Sequence, residues 1–255
     1  MLAQLLTQEV VVVFLVFARL GSAAILLPGL GEASVPVRVR LLAALALSVA
    51  VAQMVRPTLP AVPDMPVALL VLLGGEIAIG LFIGTIGRLL VIALAIAGEI
   101  VAFQTNLSAA QAFNPGLGQQ GVLTSSFLTT LGVLLIFVTN LHHVLIAGLV
   151  DSYLVFPPSQ LPPLGDVTDT VVRTGAEAFL IAAQITAPLL LIGIVFNIGL
   201  GILARLMPQL PVLFVALPAQ IGIGLTVFGL TLSAGMLIFL DRFADIWTRL
   251  FAAGL

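Results

Sequence analysis

VALLVLLGGEIAIGLFIGTIGRLLVIALAIA, residues 67–97, is an apolar run interrupted by only two charges, Glu76 and Arg88. As one helix it would reach about 46 Å at 1.5 Å per residue, against about 30 Å of bilayer hydrocarbon. Five more runs of membrane scale accompany it: Val10 to Leu27, Leu41 to Val55, Val122 to Val150, Ala176 to Ala204, and Val212 to Leu240. The expected fold is therefore all-α, with about six long apolar helices arranged as membrane-type hairpins. The runs at 67–97 and 122–150 exceed one straight span, so they must tilt, kink or project beyond the bilayer.

Composition agrees. Of 255 residues, 61% are hydrophobic and 8% are charged, where a soluble domain carries about 25% charged residues. So few charges cannot cover the surface of a soluble globule, which excludes a soluble enzyme, a nucleic-acid binder and a disordered chain. The net charge of -2 offers no basic patch for DNA or RNA. With no Cys, disulfides, thiolate nucleophiles and Cys-bound metals are excluded too. Met1 to Val10 hold Glu9 and no basic residue, so this start is expected to be a retained anchor rather than a secretory signal.

The links carry turn chemistry. Pro28-Gly29-Leu30-Gly31 ends the first run. Pro57, Pro60, Pro63 and Pro66 stiffen one link, and Pro157, Pro158, Pro162 and Pro163 another. The short link Met207-Pro208-Gln209-Leu210-Pro211 predicts that the last two helices form an antiparallel hairpin. Arginines fall almost equally on alternate loops (Arg38 and Arg40, Arg56, Arg173, Arg205, Arg242 and Arg249), so charge bias leaves the topology open. Small residues at four-residue spacing, Gly80 with Gly84 and Gly193 with Asn197 and Gly201, point to helices packed closely on protein neighbours. In the tail, Phe243, Ile246, Trp247, Leu250 and Phe251 share one helical face, and Asp241, Asp245 and Arg249 another. That is an amphipathic helix whose Trp suits a bilayer interface or a subunit contact.

Four charges stand inside or at the ends of apolar runs: Arg19, Glu76, Arg88 and Glu99. A charge at membrane depth costs several kcal/mol unless paired or hydrated. Arg88 and Glu99 are about 16 Å apart along one helix and need other partners. Buried charge pairing, chiefly between subunits, is the expected role for all four, with a proton or ion relay as the sharper alternative. His142 and His143 point about 100° apart on a helix, so they suit a polar helix end approaching Asp151 better than a metal site.

The chain between Glu99 and Asp151 holds no Asp, Glu, Lys or Arg. Within it, Asn106-Leu107-Ser108-Ala109-Ala110-Gln111-Ala112-Phe113-Asn114-Pro115-Gly116-Leu117-Gly118-Gln119-Gln120 breaks the helical pattern with Asn, Pro and Gly. Irregular backbone at membrane depth survives only when buried in protein or lining a water-filled cavity. A neutral, amide-rich loop suits a pore constriction that passes varied cargo, and an ordinary re-entrant loop is the plain alternative.

Several stretches together resemble the FliR family, the flagellar biosynthetic protein of the type III export gate, which is SctT-like in virulence systems. They are Phe17-Ala18-Arg19-Leu20-Gly21, Leu27 to Arg40 (LPGLGEASVPVRVR), Gly98-Glu99-Ile100-Val101, Phe113-Asn114-Pro115-Gly116, and Phe196 to Gln209 (FNIGLGILARLMPQ). The resemblance covers most of the chain. It implies one copy of the chain in a helical channel with FliP-type and FliQ-type subunits, beside an FlhB-type switch protein and proximal rod components. It also implies the bacterial inner membrane and the flagellar basal body as the location, contact with membrane lipid, unfolded protein as cargo, and no nucleic acid or cofactor. By the same likeness, residues 1–163 would be a FliP-like part and residues 164–255 a FliQ-like hairpin with its amphipathic tail. The loop Asn106 to Gln120 would then plug the channel. A proton-coupled secondary transporter using Glu76, Arg88 and Glu99 is the alternative function. An intramembrane enzyme lacks a nucleophile–base or metal set.

Overall fold

The structure is a computed structural model that describes residues 2–60, 65–106, 120–158, 160, 162–207 and 212–252. Every regular element among these residues is helical: α1 (Leu2–Leu26), α2 (Val37–Val55) with a short 3-10 turn at Arg56–Thr58, α3 (Pro66–Gln104), α4 (Gln120–Val138), α5 (Leu141–Val155), α6 (Leu164–Leu206) and α7 (Val212–Ala252). Five helices are long and apolar enough to cross a membrane, or six if α4 and α5 count as one bent span. The chain is thus an all-α membrane protein.

The two over-long runs resolve differently. The run at 67–97 becomes a single helix of 39 residues, α3, which at about 58 Å is roughly twice the hydrocarbon thickness. The run at 122–150 breaks at Thr139-Asn140, and its two halves meet at 78°. Asn140 takes φ 60 and ψ 15, the left-handed conformation that Asn adopts more readily than most residues. Its carbonyl then accepts the His143 N–H, which starts α5 in the new direction. The second half extends past Val150 to Val155. Likewise α1 begins before Val10, so Glu9 lies within it and pairs with Arg56 after α2.

The chain divides into two compact units, residues 1–90 with 136–175 and 244–255, and residues 91–135 with 176–243. In the first, α1 and α3 touch backbone to backbone: a Cβ on Gly80 would run into the Arg19 carbonyl and Ser22 Oγ, and one on Gly84 would lie 2.8 Å from the Ala23 carbonyl. Gly29, in the link after α1, has φ +88 and lies against the Phe137 ring, so both backbone and space require glycine there. The tail is no separate helix but the last three turns of α7. Trp247 and Phe251 are buried there, and the Trp247 Nε1–H donates to the Val144 carbonyl at 3.1 Å. The tryptophan is therefore an interior packing residue of this chain, while Asp245 and Arg249 pair on the exposed face.

In the second unit, a Cβ on Gly98 would meet the backbone of Thr124 and Ser125, so α3 and α4 also approach closely. A Cβ added to Gly235 on α7 would lie 3.0 Å from Ile185 Cγ2 on α6, so these two helices also pack closely. These positions lie at comparable distances before and after the link at 207–211, as an antiparallel hairpin requires. Gly201, expected to seat a neighbouring helix, faces open space within this chain.

The glycine contacts yield a direct expectation. Gly80→Leu should force α1 and α3 apart and destabilise the fold by about 1–3 kcal/mol or more. Gly165→Ala, with nothing within 4 Å of its new Cβ, should be neutral or mildly stabilising. Thermal melting of the purified protein, followed by circular dichroism, checks both; equal melting of the two variants would contradict the close packing.

Candidate functional site

Arg19 is the most heavily engaged side chain of the first unit. It leaves α1 fully buried, and Glu76 on α3 is fully buried beside it. Arg19 Nε donates to Glu76 Oε2 at 2.7 Å and Nη2 donates to Oε1 at 2.9 Å, a bidentate fork. Nη1 donates to the Ser152 carbonyl at 3.0 Å and lies 3.2 Å from Ser152 Oγ, while Nη2 also donates to the Phe156 carbonyl at 3.0 Å. These contacts match the five N–H donors of a guanidinium. Its flat face lies 3.9 Å from the centre of the Tyr153 ring, a cation–π contact strengthened by exclusion of water.

The geometry has a local cause. α5 ends at Val155, and Phe156 is followed by Pro157. The Ser152 carbonyl already accepts the Phe156 N–H at 2.8 Å and offers Arg19 its second lone pair, and a cation at a helix end complements the negative end of the helix dipole. Arg19 supplies both the donors and the charge. Gly80, one turn beyond Glu76, admits α1 close enough for the fork to form.

Arg88 donates to Glu32 Oε1 at 2.9 Å in the same unit, and this pair is part-exposed. Arg19 and Arg88 thus find their carboxylates within the chain, where pairing between subunits was the expectation. Glu99, expected to pair chiefly across a subunit contact, is exposed within this chain, and its neighbour here is a hydroxyl. Ser125 Oγ lies 3.0 Å from Glu99 Oε1 and 2.9 Å from the Ala95 carbonyl, so its single proton serves one acceptor at a time. The physical reason is position: Glu99 lies on α3 beyond the stretch packed on α1, in the second unit. His142 stacks on Phe137 with ring centres 5.1 Å apart. Among the described residues no three His, Cys, Asp or Glu side chains gather as a metal site.

The expected plug begins at Asn106, where the chain turns left-handed at φ 53. Residues 107–119 lie outside the described residues, and Gln120 opens α4. The root of the loop is well defined. Gln220 Nε2 on α7 donates to the Gln104 carbonyl at 3.1 Å, and Thr105 is buried with its hydroxyl on the Val101 carbonyl at 2.8 Å. Thr105 reaches this depth because Gly224 has no side chain: a Cβ there would lie 2.7 Å from Thr105 Cγ2. Gly193 leaves room for the Gln104 side chain in the same way: a Cβ there would lie 3.0 Å from Gln104 Oε1.

Sequence reasoning did not find Ser152, Tyr153, Phe156, Glu32, Ser125 or Gln220. Two signals were available: Tyr153 is the only Tyr in the chain, and Asp151-Ser152 interrupts an apolar stretch. The Ser152 and Phe156 carbonyls carry no side-chain signal at all.

Fold and site together describe a helical membrane protein whose buried charges hold helices together. Residues 10–246 match the family described as bacterial export proteins, family 1, and the chain belongs to that family. It is 37% identical over 242 residues to the flagellar biosynthetic protein FliR of Caulobacter vibrioides, covering 93% of this chain and 95% of the relative. The protein of the same name from Aquifex aeolicus is 31% identical over 93% of this chain and 91% of its own length. The Yop proteins translocation protein T of Yersinia pestis is 32% identical over 63% of this chain and 65% of its own.

Arg19→Ala should leave Glu76 buried without a counter-charge and cost about 3–5 kcal/mol, while the double change Arg19→Met with Glu76→Leu should cost much less. Arg19→Lys should resemble the loss, because three ammonium donors on a point charge cannot reproduce the fork and both carbonyl bonds. The readout is the melting temperature of the detergent-solubilised protein. A lysine variant that melts like the parent would remove the geometric role assigned to the guanidinium.

Proposed function

We propose that this chain is a non-enzymatic subunit of the flagellar type III protein export gate, helping to form and plug the channel through which unfolded flagellar subunits leave the cell. The observation that carries the reading is the near end-to-end match to proteins named flagellar biosynthetic protein FliR. The Yersinia relative, named for translocation of Yop proteins, supports the same kind of machine. The partners in this reading are FliP-type and FliQ-type subunits in the bacterial inner membrane, with an FlhB-type protein and proximal rod components beside them. Residues 1–163 take the FliP-like role and residues 164–255 the FliQ-like one; the long α6–α7 hairpin supports that division.

A proton-coupled carrier is not favoured. Both carboxylate oxygens of Glu76 are occupied by Arg19, and a relay needs a carboxylate that exchanges protons. The plug role of Asn106 to Gln120 draws support from its neutral composition and from its root, where Gln220 and Gly224 hold the end of α3 through uncharged contacts. Phe113 and Leu117 are apolar enough to exclude water from a closed bore, and Gly116 and Gly118 give the backbone freedom to move aside.

Affinity purification of the tagged full-length chain from its own membranes should bring down FliP-type and FliQ-type subunits; recovery as a lone monomer or homo-oligomer would reject the gate reading. Deletion of residues 107–119 should leave that complex assembled and make cells leaky to small solutes. An assembled deletion complex that stays sealed would reject the plug while leaving the gate assignment standing.

A further inference from the structure

An apolar groove of about 500 Å³ opens between α1, α2 and α3, lined by Phe17, Gly21, Ile25, Leu41, Ala44 and Ile77, with Arg40 at one end. Ile25 and Leu41 are more than half exposed, as is Val37 at the mouth. Along α1 the groove runs from Phe17 to Ile25, about 12 Å at the helical rise, which is a length suited to an alkyl chain. Its mouth is the link between α1 and α2, and the charge there is lopsided. Arg38 lies exposed in the first turn of α2 with no ion pair to any described residue. Arg40 spends Nε on the Leu30 carbonyl at 2.6 Å and Nη2 on the Glu32 carbonyl at 2.9 Å, so its positive charge meets no carboxylate. The one acid nearby, Glu32, is already matched by Arg88. The start of α2 adds to the positive field, because Pro36 provides no side-chain cap.

We propose that this groove binds an anionic phospholipid, one acyl chain lying between α1 and α2 and the headgroup at the mouth, where Arg40 lines the groove and Arg38, two positions before it and turned off the lining, adds positive charge to the same helix end. Basic pockets between membrane helices are a recurring mode of recognising anionic headgroups. A zwitterionic lipid fits the groove equally well but gains less at its mouth. The site goes beyond the export-gate reading and does not depend on it.

The test uses the full-length chain in its native complex, reconstituted into discs of mixed phosphatidylcholine and phosphatidylglycerol and then returned to detergent. Retained lipid is counted by native mass spectrometry. Phosphatidylglycerol should be kept in preference to phosphatidylcholine, and Arg38→Gln should reduce its retention about fivefold. Gly21→Leu provides a second variant: a Cβ at Gly21 meets only the Phe17 ring, at 3.4 Å, so the new side chain enters the groove without moving a helix and should displace the lipid. Equal retention of the two lipids by the parent, or unchanged phosphatidylglycerol in Gly21→Leu, would overturn the proposal. Because the chain has no Cys, Leu41→Cys supplies a unique thiol. Its cross-linking to another protein subunit in intact membranes would identify the groove as a subunit contact and equally overturn it.

Discussion

A guanidinium buried without water governs the architecture of the first unit. An ion of this size pays several kcal/mol to leave water even after the protein relaxes around it. That penalty is tolerable only when the charge is matched and the donors are satisfied. Arg19 meets both conditions at once through Glu76, Ser152 and Phe156. The partners come from α3, α5 and the residue after α5, so satisfying one side chain fixes three helices against one another. Pairs replaced by apolar residues are often as stable; what such a network adds is a single arrangement, because a guanidinium fork fits a carboxylate in few orientations.

Direction alone does not bring the helices together. Lipid tails are as apolar as leucine, so burial gives little drive for one membrane helix to meet another, and dispersion contacts at short range must supply it. This is where the glycines act. Gly80 and Gly84 bring α3 onto α1, and Gly148 brings α5 onto Trp247 and Phe251. Gly98 brings α3 onto α4. Each removes the one carbon that would hold two elements apart, and two of them lie next to a polar contact that needs the short distance: Gly80 near Arg19 and Glu76, Gly98 near Glu99 and Ser125. Close packing and polar satisfaction are therefore the same requirement at these points.

The parts of this structure that were legible in the sequence are those set by local composition. Six apolar runs became the helical segments, and turn residues marked the links, because helix length and solvent are decided within a few residues. The break at Asn140 was not legible, since LLIFVTNLHHVL holds neither Gly nor Pro and the turn depends on one Asn adopting a left-handed conformation. The need of Arg19 for a partner could be read; the partner could not, because Glu76 is 57 positions away and the remaining acceptors are largely backbone carbonyls. At Glu99 the out-of-place charge suggested pairing between subunits, and within this chain it is exposed beside Ser125. Trp247 misled for a similar reason: its amphipathic helix reads as interfacial, but its apolar face is covered by α5.

Two helix ends in this chain face the same problem and solve it with opposite chemistry. At the end of α5 the Phe156 carbonyl and the second lone pair of the Ser152 carbonyl are met by a charged group, and the result is rigid, because moving the cation away would strand Glu76. At the end of α3 the Gln104 carbonyl is met by the Gln220 amide, and Thr105 is admitted by Gly224. A neutral hydrogen bond contributes only about 1 kcal/mol net, and its groups re-pair with water at little cost. The chain that follows Gln104 carries no Asp, Glu, Lys or Arg until Asp151, so it contributes no such charge of its own. In a conduit for polypeptides of varied composition, a fixed charge would detain segments of the opposite sign and repel those of the same sign. If the loop plugs such a conduit, as proposed above, uncharged anchoring at its root avoids both barriers and leaves the strong electrostatic lock to α1, α3 and α5.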